Sequence, residues 1–333
     1  MSAAVVCVLL ALTIVCPAAA GRVTGTFKNT LDIAADPWVI KNPNGKGYYY
    51  CYSDCDVTVD AKHVYVDYAD APYMFTHRKT NPVFDAVPGS MYSSELWAPE
   101  LHWIDGHWYI YVAADNGEQA THRMFVLKGT SKDPTKPFVM INKMVDTADG
   151  WSIDGTVFKH KGKLYTAWSF SDNGQVIKLA ETENPTTIKG EGVIISRPEY
   201  DWECRELKIN EGPAVLTHGK KLYIVYSASF ANSDFYCLGL LEYTGGDILD
   251  PKNWKKHEKP VFEGGNGIIS PGHCSFTKDG DGNDWIVYHC ILNKGDDWTK
   301  RRMRMQPVKW EGDFPVFGEP VPEGVELEFP YIK

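Results

Sequence analysis

The sequence predicts an all-β fold, a five-bladed β-propeller, on three observations. A strand-like segment recurs five times, the copies are evenly spaced, and no long amphipathic helical run interrupts them. The copies are GYYYCYS from Gly47, HWYIYVAA from His107, KLYTAWSF from Lys163, KLYIVYSAS from Lys221 and DWIVYHC from Asp284, and their aligned rings, Tyr49, Tyr109, Tyr165, Tyr223 and Trp285, lie 56 to 62 residues apart. A sandwich does not generate five equal units, and solenoid repeats are shorter. A period near 60 with several strands per unit fits blades that cannot bury both faces alone and so stack radially.

Each copy has a partner strand before it, across a tight turn that contains Gly or Asp. In chain order the partners are DPWVI from Asp36, APELHWI from Ala98, DGTVFKH from Asp154, EGPAVLTH from Glu211 and GHCSFTK from Gly272. Their β-branched and alternating residues suit hairpins. No linker or low-complexity stretch divides residues 21–333, so they are read as a single domain.

Residues 1–20 differ from the rest. They carry no charged side chain, run apolar from Ala3 to Cys16 and end in Ala18-Ala19-Ala20, the small-residue pattern of a secretory signal peptide. The run is too short to span a bilayer, and no later stretch is apolar enough. The expected location is therefore extracellular, with no membrane anchor. Outside that segment lie Cys51, Cys55, Cys204, Cys237, Cys274 and Cys290, too few in so long a chain for a small disulfide scaffold and without a pairing the sequence can assign. No Asn-x-Ser/Thr sequon occurs.

With 44% hydrophobic and 13% aromatic residues the chain of 333 residues can bury a large core and is not disordered. Its 34 Lys+Arg against 43 Asp+Glu give a net charge of -9, which argues against a nucleic-acid partner. The short basic run of Lys300, Arg301, Arg302 and Arg304 stands alone.

The acids fall in register. Aligning the hairpins puts Asp36, Ala98, Asp154, Glu211 and Gly272 or His273 at one position, at the start of the strand that lines a propeller's channel. Three carboxyl groups from different blades should then converge at one end of that channel. Buried like charges raise the pKa of one member while another stays ionised, which places an acid and a base in one cleft. Oxygen ligands in a ring also suit Ca²⁺, so a metal site is the rival reading. Trp38, Trp97, Trp103, Trp151 and Trp168 lie on or beside the channel strands, where rings serve either as platforms for sugar C–H faces or as packing between blades. Trp97, next to Ala98, is the best candidate for a platform.

Seven segments together resemble glycoside hydrolase family 43, above all its α-L-arabinofuranosidase members. They are ADPWVI at Ala35, WAPELHWIDGHWYIYVAA at Trp97, SIDGTVF at Ser152, NEGPAVL at Asn210, YCLGLL at Tyr236, PGHCSF at Pro271 and FPVFGEP at Phe314, and the likeness runs from about Leu31 to Pro320. The resemblance implies an inverting glycosidase acting on plant cell-wall polysaccharide or oligosaccharide and needing no cofactor. It implies that Asp36 is the general base, Glu211 the general acid, and Asp154 the group that raises the pKa of Glu211 and orients it. His273 matches a channel histidine, set near a central cation or hydrogen-bonded in the core, and a structural Ca²⁺ stays open. Arg304, in RRMRMQP, matches an arginine near the sugar, with Arg301 the weaker candidate; Lys300 and Arg302 depart from the family pattern, which leaves open which arginine there is the functional one. A β-D-xylosidase and a non-catalytic sugar-binding propeller are the alternatives. A retaining fructan hydrolase lacks its WMNDPN motif here, and nothing requires a thiol nucleophile at Cys274 or zinc at Cys51 and Cys55.

Overall fold

The computed structural model describes residues 21–54, 60–75 and 81–333. The signal-like segment and Cys55 lie outside them. Five antiparallel sheets form the five blades of the propeller, each starting with the strand at the channel and meandering outward. Blade 1 runs Trp38–Lys41, Tyr48–Ser53, His63–Ala69 and Phe84–Asp85. Blade 2 runs Ser94–Ile104, His107–Asp115, Arg123–Gly129 and Phe138–Lys143. Blade 3 opens with Ser152–His160, Lys163–Ser171 and Gln175–Asn184, then adds Thr187–Ile188 and Val193–Ser196. Blade 4 comprises Asn210–His218, Lys221–Ala228, Cys237–Tyr243 and Trp254–Lys256.

Blade 5 closes the ring. Ile269–Lys278, Asp284–Ile291 and Arg302–Pro307 come from the end of the chain, but the outermost strand is Asp32–Ile33 from its beginning, paired as Asp32 with Met303 and Ile33 with Arg302. Arg22–Lys28 and Glu326–Ile332 then pair with each other as a separate ribbon. Joining the two ends of the chain in one sheet prevents the ring from opening without losing ladder hydrogen bonds.

The core is divided into five apolar clusters, one at each interface between neighbouring blades. The second strand of each blade explains why its sequence is apolar throughout. Successive side chains point to opposite faces of a sheet, and here both faces are covered. Tyr48, Tyr50 and Tyr52 pack toward Trp285 and Val287 of blade 5, while Tyr49 and Cys51 pack toward Ile110 and Val112 of blade 2. Among the described cysteines, Cys51, Cys204, Cys237, Cys274 and Cys290 are free thiols, all buried except the half-buried Cys204.

Candidate active site

The site is made by the same backbone irregularity repeated around the channel. In blades 2 to 5 the first strand loses register with the second between Trp97 and Glu100, Ile153 and Thr156, Glu211 and Ala214, and Gly272 and Ser275. At each break one residue adopts the left-handed region: Ala98 at φ 43°, Asp154 at 57°, Gly212 at 53° and His273 at 40°, and Asp36 does the same at 44° just before blade 1. Such bulges re-aim side chains near functional sites.

This pattern corrects the predicted register. Asp36, Ala98, Asp154 and His273 are equivalent, but Gly212, rather than Glu211, occupies the matching place in blade 4. Glu211 corresponds to Trp97 and Ile153, one residue earlier. In a flat strand adjacent residues face opposite ways; the bulge brings Asp154 and Glu211 into one cavity despite the offset. Gly212 is required where it stands, since its φ is left-handed and an added Cβ would lie 3.2 Å from the His273 ring.

The cavity, about 450 Å³, is lined by Asp36, Asp154, Glu211, Trp97, His273 and Arg301, and further by Glu95, Trp151, Gln175 and Trp298. The expected convergence of three carboxyl groups is therefore met, and Trp97 and His273 join them. Two other residues missed by the sequence reading bond to Glu211. Tyr236 donates to Glu211 Oε1 at 2.8 Å, and Gln175 also bonds to Glu211. Of the other channel-side tryptophans, Trp151 lines the cavity, whereas Trp168 is in the core between blades 2 and 3, Trp38 packs on His102 and Trp103 on Trp108.

Arg304 does not reach this cavity. It is wholly buried in the closing blade, bonded to Glu323, to the Val321 carbonyl and to Thr30 Oγ1, so it ties the two ends of the chain together. Arg301 holds the place expected of it, with Nη1 at 3.1 Å from Asp36 Oδ1 and Nε donating to the Trp298 carbonyl. Along a strand, residues three apart point to opposite faces, and Arg301 sits just before the strand on which Arg304 lies.

The carboxyl groups are tuned in opposite directions. Burial alone would push Asp36 up, but the Arg301 guanidinium and the His273 and His289 rings hold its carboxyl far below the usual carboxylate range. His273 Nδ1 lies 3.2 Å from Asp36 Oδ1, and His289 Nδ1 accepts the Asp36 N–H at 3.1 Å. Burial lowers the pKa of both rings, His289 to about 4, while the charge of Asp36 opposes that shift. Glu211 is raised to about 7, by burial first and then by the charge of Asp36, with the Tyr236 hydroxyl opposing. Asp154 is raised well above its ordinary value by burial and by repulsion from Glu211 and Asp36, although its Oδ2 accepts the Gly212 N–H at 3.0 Å. Asp154 and Glu211 titrate as a pair, and ionising both is disfavoured.

A fourth acid, Glu95, stands across the cavity. Its φ of 53° is left-handed, its Oε2 accepts from the Trp97 indole at 2.6 Å, and burial raises it to about 7. Trp97 in turn stacks on His122, with ring centroids 4.1 Å apart. Neither Glu95 nor Gln175 lies in a motif, and Tyr236, though it opens YCLGLL, carried no sign of a site role, because each arrives from a different blade or turn.

Calcium takes six to eight oxygen ligands. Around His273 the residues offer it one carboxylate, Asp36, already balanced by Arg301, and among the described residues no group of three or more His, Cys, Asp or Glu is arranged to hold a metal.

Comparison with known proteins agrees with the geometry. Residues 31–315 match the model for Glycosyl hydrolases family 43. The extracellular exo-alpha-(1->5)-L-arabinofuranosidase of Streptomyces avermitilis is 34% identical over 317 residues, which span 90% of this chain and 65% of that protein. Alpha-L-arabinofuranosidase 43 of Humicola insolens is 39% identical over 248 residues, 70% of this chain and 51% of that one. The chain thus spans about half to two thirds of the length of these curated relatives. The crystal structure of alpha-L-arabinofuranosidase from Lactobacillus brevis superposes with a TM-score of 0.83 at 34% identity and covers 90% of this chain and 98% of its own. A five-bladed ring with its acids gathered in one cavity, together with a family match that spans all five blades, leaves one assignment: the chain belongs to glycosyl hydrolases family 43.

Proposed function

We propose that the protein is an inverting α-L-arabinofuranosidase that releases terminal arabinose from arabinan or arabinoxylan, fragments of plant cell wall. One observation carries this reading: a single cavity holds a carboxylate kept ionised, Asp36, and a carboxylic acid kept protonated to near neutrality, Glu211. In the reaction, Asp36 takes a proton from a water molecule as that water attacks the anomeric carbon, and Glu211 gives its proton to the glycosidic oxygen as the bond breaks. The sugar leaves with its anomeric configuration inverted. Asp154 Oδ2 accepts the Gly212 N–H and so orients the segment that carries Glu211. Trp97 and Trp151 offer flat apolar faces to the sugar. The signal-like residues 1–20 and the word extracellular in the relatives' names support secretion.

The test is hydrolysis of p-nitrophenyl α-L-arabinofuranoside beside p-nitrophenyl β-D-xyloside, with the first product followed by NMR. Faster turnover of the arabinofuranoside with initial inversion is expected. Preference for the xyloside makes the protein a β-D-xylosidase, retention of configuration removes the base role of Asp36, and sugar binding without turnover leaves a sugar-binding propeller.

A further inference from the structure

The position of the acid says which way the rest of the substrate runs. A general acid protonates the leaving oxygen, so it stands on the leaving-group side of the scissile bond. Glu211 is the second residue of its strand, and the three residues before that strand, Leu207, Lys208 and Ile209, form one wall of a second recess, about 440 Å³. That recess is continuous with the catalytic cavity, because Trp151, Gln175 and Ile209 line both. Gln175, bonded to Glu211, sits at the junction.

The floor of the recess is built to keep its shape. The Gln175 N–H donates to the Lys208 carbonyl at 2.9 Å, and Gln175 bridges Ile209 in parallel. Gly174 has φ +120°, and a Cβ there would meet the Lys208 carbonyl oxygen at 2.8 Å, so only glycine lets blade 3 approach this close. Trp151 is fixed by its indole N–H, which donates to the Gln119 carbonyl at 3.0 Å.

The lining matches a neutral sugar chain. Leu207, 48% exposed, and Trp151 present apolar surface for C–H faces, while Ser171, Gln175 and Lys208 supply groups for hydroxyls. Among the described residues no carboxylate lines the recess. We infer, resting on the arabinofuranosidase reading, that this recess between blades 3 and 4 binds the leaving-group side of the substrate, a neutral pentosyl chain that passes over Gln175 and lies against Trp151 and Leu207.

The test compares kcat/KM for a linear arabino-oligosaccharide with that for p-nitrophenyl α-L-arabinofuranoside, whose leaving group is one ring. Ala120→Trp fills the recess and Leu207→Ala strips it; both residues are exposed. In each variant the ratio of oligosaccharide to aryl glycoside should fall about tenfold, the scale of losing a small apolar contact, through KM for Leu207→Ala. A ratio equal to wild type in both folded variants overturns the recess as the binding site while the activity stands. Wild-type protein that hydrolyses neither substrate overturns the activity and the recess with it.

Discussion

Two corners of one cavity hold buried carboxyl groups with opposite fates. At the blade 1 corner, Asp36 is surrounded by a guanidinium and two imidazoles and stays ionised. Across the channel, at blades 3 and 4, Glu211 meets the neutral hydroxyl of Tyr236 and the Gln175 side chain, and beside it Asp154 is a second acid. Burial penalises the charged form in both places. What differs is whether a cation balances it, and among the described residues the one guanidinium lining the cavity, Arg301, bonds to Asp36. Opposite charge states thus arise from the same functional group, a carboxyl, by the placement of one neighbour.

The most severe way to break this contrast is to remove the base. Asp36→Asn should lower kcat on the order of 10³-fold or more, the upper part of the range for general base catalysis, in steady-state assays on protein shown to be folded by circular dichroism. Glu211→Gln should cost nearly as much on an oligosaccharide. With a dinitrophenyl leaving group, which departs without a proton, the loss should shrink to about 10-fold or less; equal losses on both substrates would deny Glu211 the acid role.

The corners can also be made more alike. Arg301→Gln removes the cation, so the Asp36 pKa should rise. Because the base must be ionised, the acidic limb of the kcat/KM profile should move up by about 1–3 pH units, the size expected for an opposite charge in contact. Arg304→Met, three residues away, should leave that limb in place and lower thermal stability by about 1–3 kcal/mol, through the carbonyl and hydroxyl partners it abandons. The smallest effect belongs to Tyr236→Phe. Its hydroxyl holds Glu211 down, so its loss should raise the acid further. Activity needs Glu211 protonated and fades as pH rises through about 7. The alkaline limb should therefore move up by about 1 pH unit, as for one hydrogen bond from a hydroxyl to a carboxylate.

Much of this was legible in the chain. Strands buried on both faces must be apolar at every position, so YYYCYS and YIVYSA announce themselves, and five copies at one period specify a closed ring. The three acids were visible because the ring carries each repeat to the same mouth. The one-residue offset of Glu211 was not, since alternation along a strand says nothing of a bulge that resets it. Arg301 and Arg304 were misranked for a similar reason: the motif RRMRMQP does not tell which arginine lies before the strand and which within it. Glu95 and Gln175 carry no local mark, and the motif that Tyr236 opens does not tell its role, because each meets the site from a separate blade or turn.

By itself, then, the sequence determined the repeat, the blade count and the identity of the acids, because these depend on short-range periodicity and on the residue types present. Only the tertiary structure decided which acid is charged and which arginine serves it. Those outcomes depend on distances between blades that close around a channel, and a pKa is set by neighbours in space, whatever their separation along the chain.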